Sequence, residues 1–295
     1  MAKARKILKH VKAIKNIRTV TNTMEMVATA RFKKSHDRVV ASRPFVDRLA
    51  KVVGDLVHRG GLDSISHPLL REPKDVKHDT MIVITSNRGL AGSYNSAVLR
   101  VALERYHQVR DGGYQVSLRA VGKRGINALK FRKLPLDRTY TQFDHTPPYD
   151  VVRDMADEIM DQFAQGKISG LEVAYMQFVS SGVQRPAIAQ LLPLTDLVTE
   201  RSRWVTEAKT GFELLPAGTE ILDRLLPLTV RMKLYQCFLE AAVSEQVMRI
   251  AAMRSATDAA DDMIHDLTVA YNRQRQSQIT TELAEIMGGR GAVEE

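Results

Sequence analysis

Apolar residues recur in steps of three and four from the start of the chain. They fall at Ile7, Val11, Ile14, Ile17, Val20, Met24 and Val27, which predicts an amphipathic helix. No glycine occurs before Gly54, and the one proline in that span, Pro44, is expected to bend the helix or mark a local break. Read as one helix, residues 3–58 would extend roughly 80 Å at ~1.5 Å per residue, too long for an ordinary domain. Within it, the stretch from Thr19 to Ser35 has only a thin stripe, with Val20, Met24 and Val27 expected on one face. The remainder is Thr, Ala, Asn and basic residues, so no broad apolar face is available to a globular core.

A linker, GGLDSISHPLLREPKD, follows over residues 60–75, and the periodicity then changes. The runs 80–85 and 116–122 read as buried strands, and 137–143 as a third. Residues 96–110, 125–132 and 149–164 carry helical spacing, and 171–180 with 186–194 read as an antiparallel strand pair. Strands alternating with helices imply an α/β domain. From about Gly218 the helical pattern returns, through Ile221, Leu225, Leu228, Met232, Tyr235 and Leu239. It continues through Ile264, Leu267, Tyr271, Ile279, Leu283 and Ile286, with Gly288, Gly289 and Gly291 as the expected stop. Pro227 is expected to kink this helix or delay its start. About 70 helical residues would reach roughly 105 Å.

The predicted architecture is an α/β insert plus a long antiparallel coiled coil formed by the N- and C-terminal helices. Its parts are residues 1–58, the insert 76–210 and residues 218–288, the last pairing with the first. Two such helices can shield narrow stripes on each other or inside a partner. The stripe lacks the sustained leucine of a free zipper, which brings a partner into view.

Charge sharpens that expectation. The 295 residues carry a formal net charge of +9, and the first 18 include seven Lys and Arg with no acid before Glu25. An acidic protein, a nucleic acid or an anionic membrane surface would each suit such a chain. No apolar run is long enough to span a bilayer. The basic start resembles an organellar transit peptide in charge, but it lacks serine and its helical phase continues past residue 30. The single cysteine, Cys237, excludes an intramolecular disulfide and fits a reducing compartment.

Candidate chemistry is sparse. SNRGLAGSYN joins a strand to a helix N-terminus, where phosphate could bind. It matches neither GxxxxGK[ST] nor GxGxxG, and the alternative is a tight turn with Arg88 exposed. The eight histidines form no HxxxH or HExxH pair, so no metal site is expected. Cys237 sits among Tyr235, Phe238 and Leu239 as a core residue, and Asp261–Asp262 is expected on a solvated face. No catalytic constellation and no cofactor site emerges. RQRQSQ (273–278) reads either as a wet surface turn or as a polar girdle, with Arg275 and Gln276 donating to a partner. A DNA-binding zipper is disfavoured, because Met, Val, Ala and Thr follow the basic segment instead of leucine heptads.

Three motifs, taken in order along the chain, carry a family resemblance. ARKILKHVKAIKNIRTVTNTMEMVATARFKKSHDRVVASRPF resembles the N-terminal helix of the γ subunit of F-type ATP synthases. TSNRGLAGSYN is similar to that family's strand-loop motif, with Asn87 and Ala91 in place of the usual Asp and Cys. YNRQRQSQITTELAEIMGG resembles its C-terminal signature through Ile279, Thr280, Glu282, Glu285 and Gly289, with Arg290 where Ala is usual.

The resemblance implies a non-catalytic rotor shaft standing inside a ring of three α and three β subunits. A foot domain would meet the ε subunit and the membrane c-ring, so that ion-driven rotation is coupled to ATP synthesis or hydrolysis on β. It further implies contacts to the α/β ring at Met24, Lys33, Lys34, Arg275, Gln276 and Glu282. Foot contacts to ε or the c-ring fall at Arg88, Phe212 and Glu213. The expected location is the cytoplasmic face of a bacterial inner membrane, held there through the complex. A free coiled-coil adaptor for an acidic partner is the alternative, and a nucleotide-binding enzyme built on the insert is a third reading.

Overall fold

The computed structural model describes residues 2–60, 67–71, 73, 76–143, 146–194 and 218–291. Among the described residues, five helices and five strands occur in the order α1 (Ala2–Gly60), β1 (His78–Ile84), α2 (Tyr94–Asp111), β2 (Gln115–Val121), α3 (Lys123–Phe131), β3 (Leu136–Tyr140), α4 (Tyr149–Ala164), β4 (Gly170–Ser180), β5 (Val183–Leu192) and α5 (Gly218–Gly291). A 3-10 turn, Pro68–Leu70, interrupts the predicted linker. The chain forms two compact units, residues 1–29 with 249–295, and residues 30–248, so the division crosses both long helices.

In the larger unit the strands form one sheet in the order β3-β2-β1-β4-β5. Strands β1, β2, β3 and β4 pair in parallel, and β5 runs antiparallel to β4. Parallel strands covered on both faces read as continuous apolar runs, which is why MIVI of β1 is buried without alternation in type. Its side chains still alternate in direction. Met81 and Val83 pack under α2 and α3 with Leu118, Ala120, Val98 and Leu129. Ile82 and Ile84 pack on the opposite face with α4 (Val152, Ile159, Phe163), α1 (Leu49, Val53) and α5 (Leu226, Val230, Leu234).

Buried charges interrupt this core, and Arg119 is the most enclosed of them among the described residues. Arg119 of β2 is 1% exposed, and its guanidinium donates to Asp137 and Glu158, each at 3.1 Å, and to Gln162 at 3.2 Å. Paired in this way it ties β3 to α4; removing one partner would leave a buried charge uncompensated. At the sheet's edge, β5 carries Pro186 opposite Met176.

Several expectations shift. Strand β3 ends at Tyr140, short of residue 143, because Asn87 takes over the hydrogen bonding beyond it, donating to the carbonyls of Thr141 and Phe143 at 2.9 Å each. Neither Pro44 nor Pro227 breaks its helix, and α5 runs through Gly288 and Gly289 to Gly291.

The largest correction concerns the seam of α1. Positions 7, 11, 14, 18, 21, 25 and 28 follow strict 3-4 spacing, and Thr21 and Ala28 are its buried members. Ile17, Val20 and Val27, expected on the inner stripe, are exposed. The same register continues in the larger unit through Ser35, Val39, Leu49 and Val53, all buried. Apolar character misled the phase at residue 17, because the inward positions beyond Ile14 are polar or small.

Gly122 tests the sheet's tightest approach. Its φ is +88°, and a Cβ there would lie 2.2 Å from the carbonyl oxygen of Thr85. Gly122→Ala is expected to destabilise the larger unit by about 2 kcal/mol or more. Urea denaturation followed by circular dichroism would measure this, and an unchanged midpoint would show that the backbone relaxes.

Candidate functional site

The smaller unit is built from the two chain-terminal helical segments. Two of its cross-helix contacts are polar: Thr21 and Thr257 share a hydrogen bond of 2.7 Å, and the half-exposed Arg18 pairs with Asp261, while Ala28, Met253 and Ala260 are buried in the same unit. Asp261 and Asp262 are both exposed, as expected, and Asp261 in addition pairs with Arg18. Thr–Thr and Ala contacts let backbones approach closely but bury little area. Such a seam holds helices without the bulk of leucine.

What it leaves outside is unusual. Val20 is 57% exposed and Met26 58%, with Ile17 and Val27 beside them, and α5 presents Met263, Val269, Ile279 and Leu283 to solvent. On α5 the half-buried series is 264, 267, 271, 274 and 278, in 3-4 spacing. Ile279 and Leu283, expected in the stripe, thus lie outside it, and Gln274 and Gln278 take the inward places. RQRQSQ accordingly divides its residues: two glutamines turn toward the seam, while Arg275 and Gln276 are exposed.

Of the other expected contact residues, Met24 is half-buried at the flank of the seam and Glu282 is exposed. Lys33 and Lys34 are exposed in the larger unit, and Phe212 and Glu213 lie outside the described residues. The first turn of α1 has no acidic residue. Cations at a helix N-terminus oppose its dipole, so this charge does not stabilise the helix.

The SNRGLAGSYN loop is stitched to its surroundings. Asn95 Oδ1 accepts from the Ser86 amide, Asn87 Oδ1 accepts from the Lys123 amide at 3.1 Å, and Ser86 Oγ donates to the Arg88 carbonyl. A carboxylate at position 87 could keep the contact to Lys123 but could not donate to Thr141 and Phe143. Asn therefore anchors this loop where the family pattern has Asp. Leu90 holds a left-handed φ of +61° and is 61% exposed, with Arg88 exposed beside it. The arrangement is a stitched turn that presents Arg88 and Leu90 outward, with Ser86, Asn87 and Asn95 hydrogen-bonded to its own framework.

Cys237 is buried against Tyr175, to which its thiol is hydrogen-bonded. Burial pushes the thiol up to about 12 and the Tyr175 hydroxyl upward as well. Among the described residues, no group of three or more His, Cys, Asp or Glu is placed to hold a metal ion, and no helix is long and apolar enough to cross a membrane.

The geometry is that of two polar-seamed helices and a stitched α/β framework. A family model described as ATP synthase matches residues 3–293. The ATP synthase gamma chain of Rhodopirellula baltica is 43% identical over 297 residues, covering the whole of both chains. The chain belongs to the ATP synthase gamma chain family. The gamma chain of Leptospira biflexa is 36% identical, over 99% of this chain and all of its own.

Among solved structures, a chain of the Euglena gracilis mitochondrial ATP synthase OSCP/F1/c-ring assembly superposes with a TM-score of 0.65 at 17% identity, covering 99% of this chain and 95% of that one. A chain of the Tetrahymena thermophila central stalk/c-ring structure gives 0.58 at 21% identity, covering 80% and 99%. These likenesses show that the fold is shared. The seam at Thr21 and Thr257 was missed from sequence, although Thr21, Ala28 and Ser35 recur every seven residues; small polar residues at heptad spacing were the available signal.

The Cys237 environment predicts a pH response. Between the ordinary thiol value of 9.0 and about 12 the unfolded chain loses a proton that the folded chain keeps. Stability should therefore fall as pH rises through that window. Cys237→Ala is expected to reduce the slope by up to about one proton, measured by urea titrations across the range; an unchanged slope would assign the effect to Tyr175 or other groups.

Proposed function

We propose that this chain is the central rotor shaft of an ATP synthase, coupling ion-driven rotation of a membrane c-ring to the β-subunit catalytic sites. The observation that carries the reading is the inversion of the smaller unit. Thr21 and Ala28 face inward, while Val20, Met26, Val27, Met263 and Val269 are left to solvent. A helix pair that needed only itself would bury those side chains. A shaft enclosed by other subunits keeps them for the sleeve.

The two helices wind as an antiparallel coiled coil. In support, Arg18 meets Asp261 and Thr21 meets Thr257, so ascending positions on α1 meet descending ones on α5. Residues 1–58 and 218–288 form the shaft, and 76–210 the foot that meets ε and the c-ring. The chain performs no catalytic step, since ATP is made and hydrolysed on β. It is peripheral to the membrane, on the cytoplasmic face of a bacterial inner membrane, held there through the complex.

Contacts to the α/β ring fall at Met24, Lys33, Lys34, Arg275, Gln276 and Glu282. Exposed ion pairs worth ~0.2–1 kcal/mol can be made and broken during a turn. A broad apolar face, at ~25 cal/mol per Å², would trap one orientation. Scattered Val and Met contacts avoid that trap. Arg88, Phe212 and Glu213 belong to the foot contacts.

Co-purification of the tagged chain from its host should bring α and β at about three copies each, with ATPase activity. Recovery of the chain alone would overturn the rotor reading in favour of a free adaptor. Within the complex, Arg275→Ala with Gln276→Ala should lower ATP turnover without blocking assembly; unchanged turnover would remove these two residues from the contact. Lys33→Glu with Lys34→Glu should weaken coupling more at low salt than at high salt, whereas a salt-independent loss would indicate packing.

A further inference from the structure

The two faces of the sheet carry opposite electrostatic treatment. On the α4 face, Asp150, Asp154, Asp157 and Glu158 are each engaged by an arginine: Arg153 takes the first two, Arg231 the third, and Arg119 with Arg138 the fourth. On the α2–α3 face, Arg100, Lys123, Arg124, Lys130, Arg132 and Lys133 are exposed. Among the described residues none of these six makes an ion pair; α2's one paired arginine is Arg105, held by Glu172. Uncompensated like charges repel, and on a single-chain surface they gain nothing from one another.

An open groove of about 610 Å³ lies between α2 and α3. Leu99, Leu103 and Ala128 give it an apolar lining, Arg100, Arg124 and Arg132 supply its cations, and Glu104 is its one carboxylate. At the end of α3, Phe131 is 88% exposed, more than any other large hydrophobic residue described, and it lies between Lys130 and Arg132. An apolar trough edged with guanidinium groups, beside a bare aromatic ring flanked by cations, matches one chemistry best. That chemistry is an anion carrying a hydrocarbon chain.

We propose that the α2–α3 groove and Phe131 form a docking site for an anionic phospholipid at a membrane surface. The phosphate would sit between Arg100, Arg124 and Arg132, whose planar forks suit phosphate oxygens. The first methylenes of an acyl chain would cover Leu99, Leu103 and Ala128. Phe131 would enter the boundary between headgroups and chains while Lys130, Arg132 and Lys133 stay at the charged surface. The contrast with the α4 face supplies orientation, since the face with uncompensated cations is drawn to an anionic bilayer and the face of paired charges is not. A folded acidic protein is the competing occupant of such a face, and the variants below separate the two.

The test uses the full-length chain in flotation assays, with vesicles containing phosphatidylglycerol against pure phosphatidylcholine. Binding is expected only to the anionic vesicles, and Arg100→Gln, Arg124→Gln and Arg132→Gln together should weaken it on the order of a hundredfold. Removing three cations elsewhere, with Lys9→Gln, Lys12→Gln and Lys15→Gln, should change it far less. An equal loss in both triple variants would reduce the effect to net charge and overturn the site. In a Trp204→Phe background, Phe131→Trp should show blue-shifted fluorescence with anionic vesicles; an unshifted spectrum would overturn insertion. If the arginine variant instead loses a protein subunit from the assembled complex while vesicle binding is unchanged, the face belongs to an acidic protein and the lipid site falls.

Discussion

Close approach of two helices through small and polar side chains is the constraint on which the smaller unit depends. Thr21 and Ala28 on α1, and Thr257 and Ala260 on α5, set a seam of mostly small side chains in which Met253 is the bulky buried member. A leucine seam would bury more area and hold more tightly, but it would also consume the apolar side chains that the helices hold outward. The Thr21–Thr257 bond is modest in energy, about 0.5–1.5 kcal/mol by the usual measure of such bonds. Its value is directional, because it fixes which residues face in and so which face out.

The larger unit solves a different problem. The central strands of its sheet are buried on both faces, by α2 and α3 on one side and by α4, α1 and α5 on the other, which fixes the direction of their side chains. Arg119 is a buried charge that specifies an arrangement: a guanidinium in the core needs Asp137, Glu158 and Gln162 in place together. The loop after β1 then inherits a rigid base, with Asn87 and Asn95 holding its backbone so that Arg88 and Leu90 are presented in a defined way. Function in such a framework comes from what it offers to others.

Legibility from sequence followed burial. Strands β1 and β4 and helix α4 could be read almost to their ends, because continuous apolar runs and a clean 3.6-residue period leave few alternatives. The α1 seam could not be read by apolar content, since Ile17, Val20 and Val27 point away from it and Thr21 points in. The same inversion placed Ile279 and Leu283 wrongly, with Gln274 and Gln278 taking their positions. A hydrophobicity-based phase fails wherever the partner that buries the apolar face is a different chain. The proposed contact positions Arg275 and Gln276 were suggested by their motif, and apart from their exposure no local physical signal separates them from an ordinary wet turn.

Pro186 bears on the life of the chain before it meets any other subunit. It sits within β5, the end strand of the sheet, where an incoming extended segment would otherwise find a row of free backbone donors and acceptors. A proline there removes one donor and places a ring in the path, which discourages edge-to-edge addition. A newly made copy, with its outward valines and methionines still uncovered, is thereby spared one route to aggregation while it waits for its place in a larger assembly.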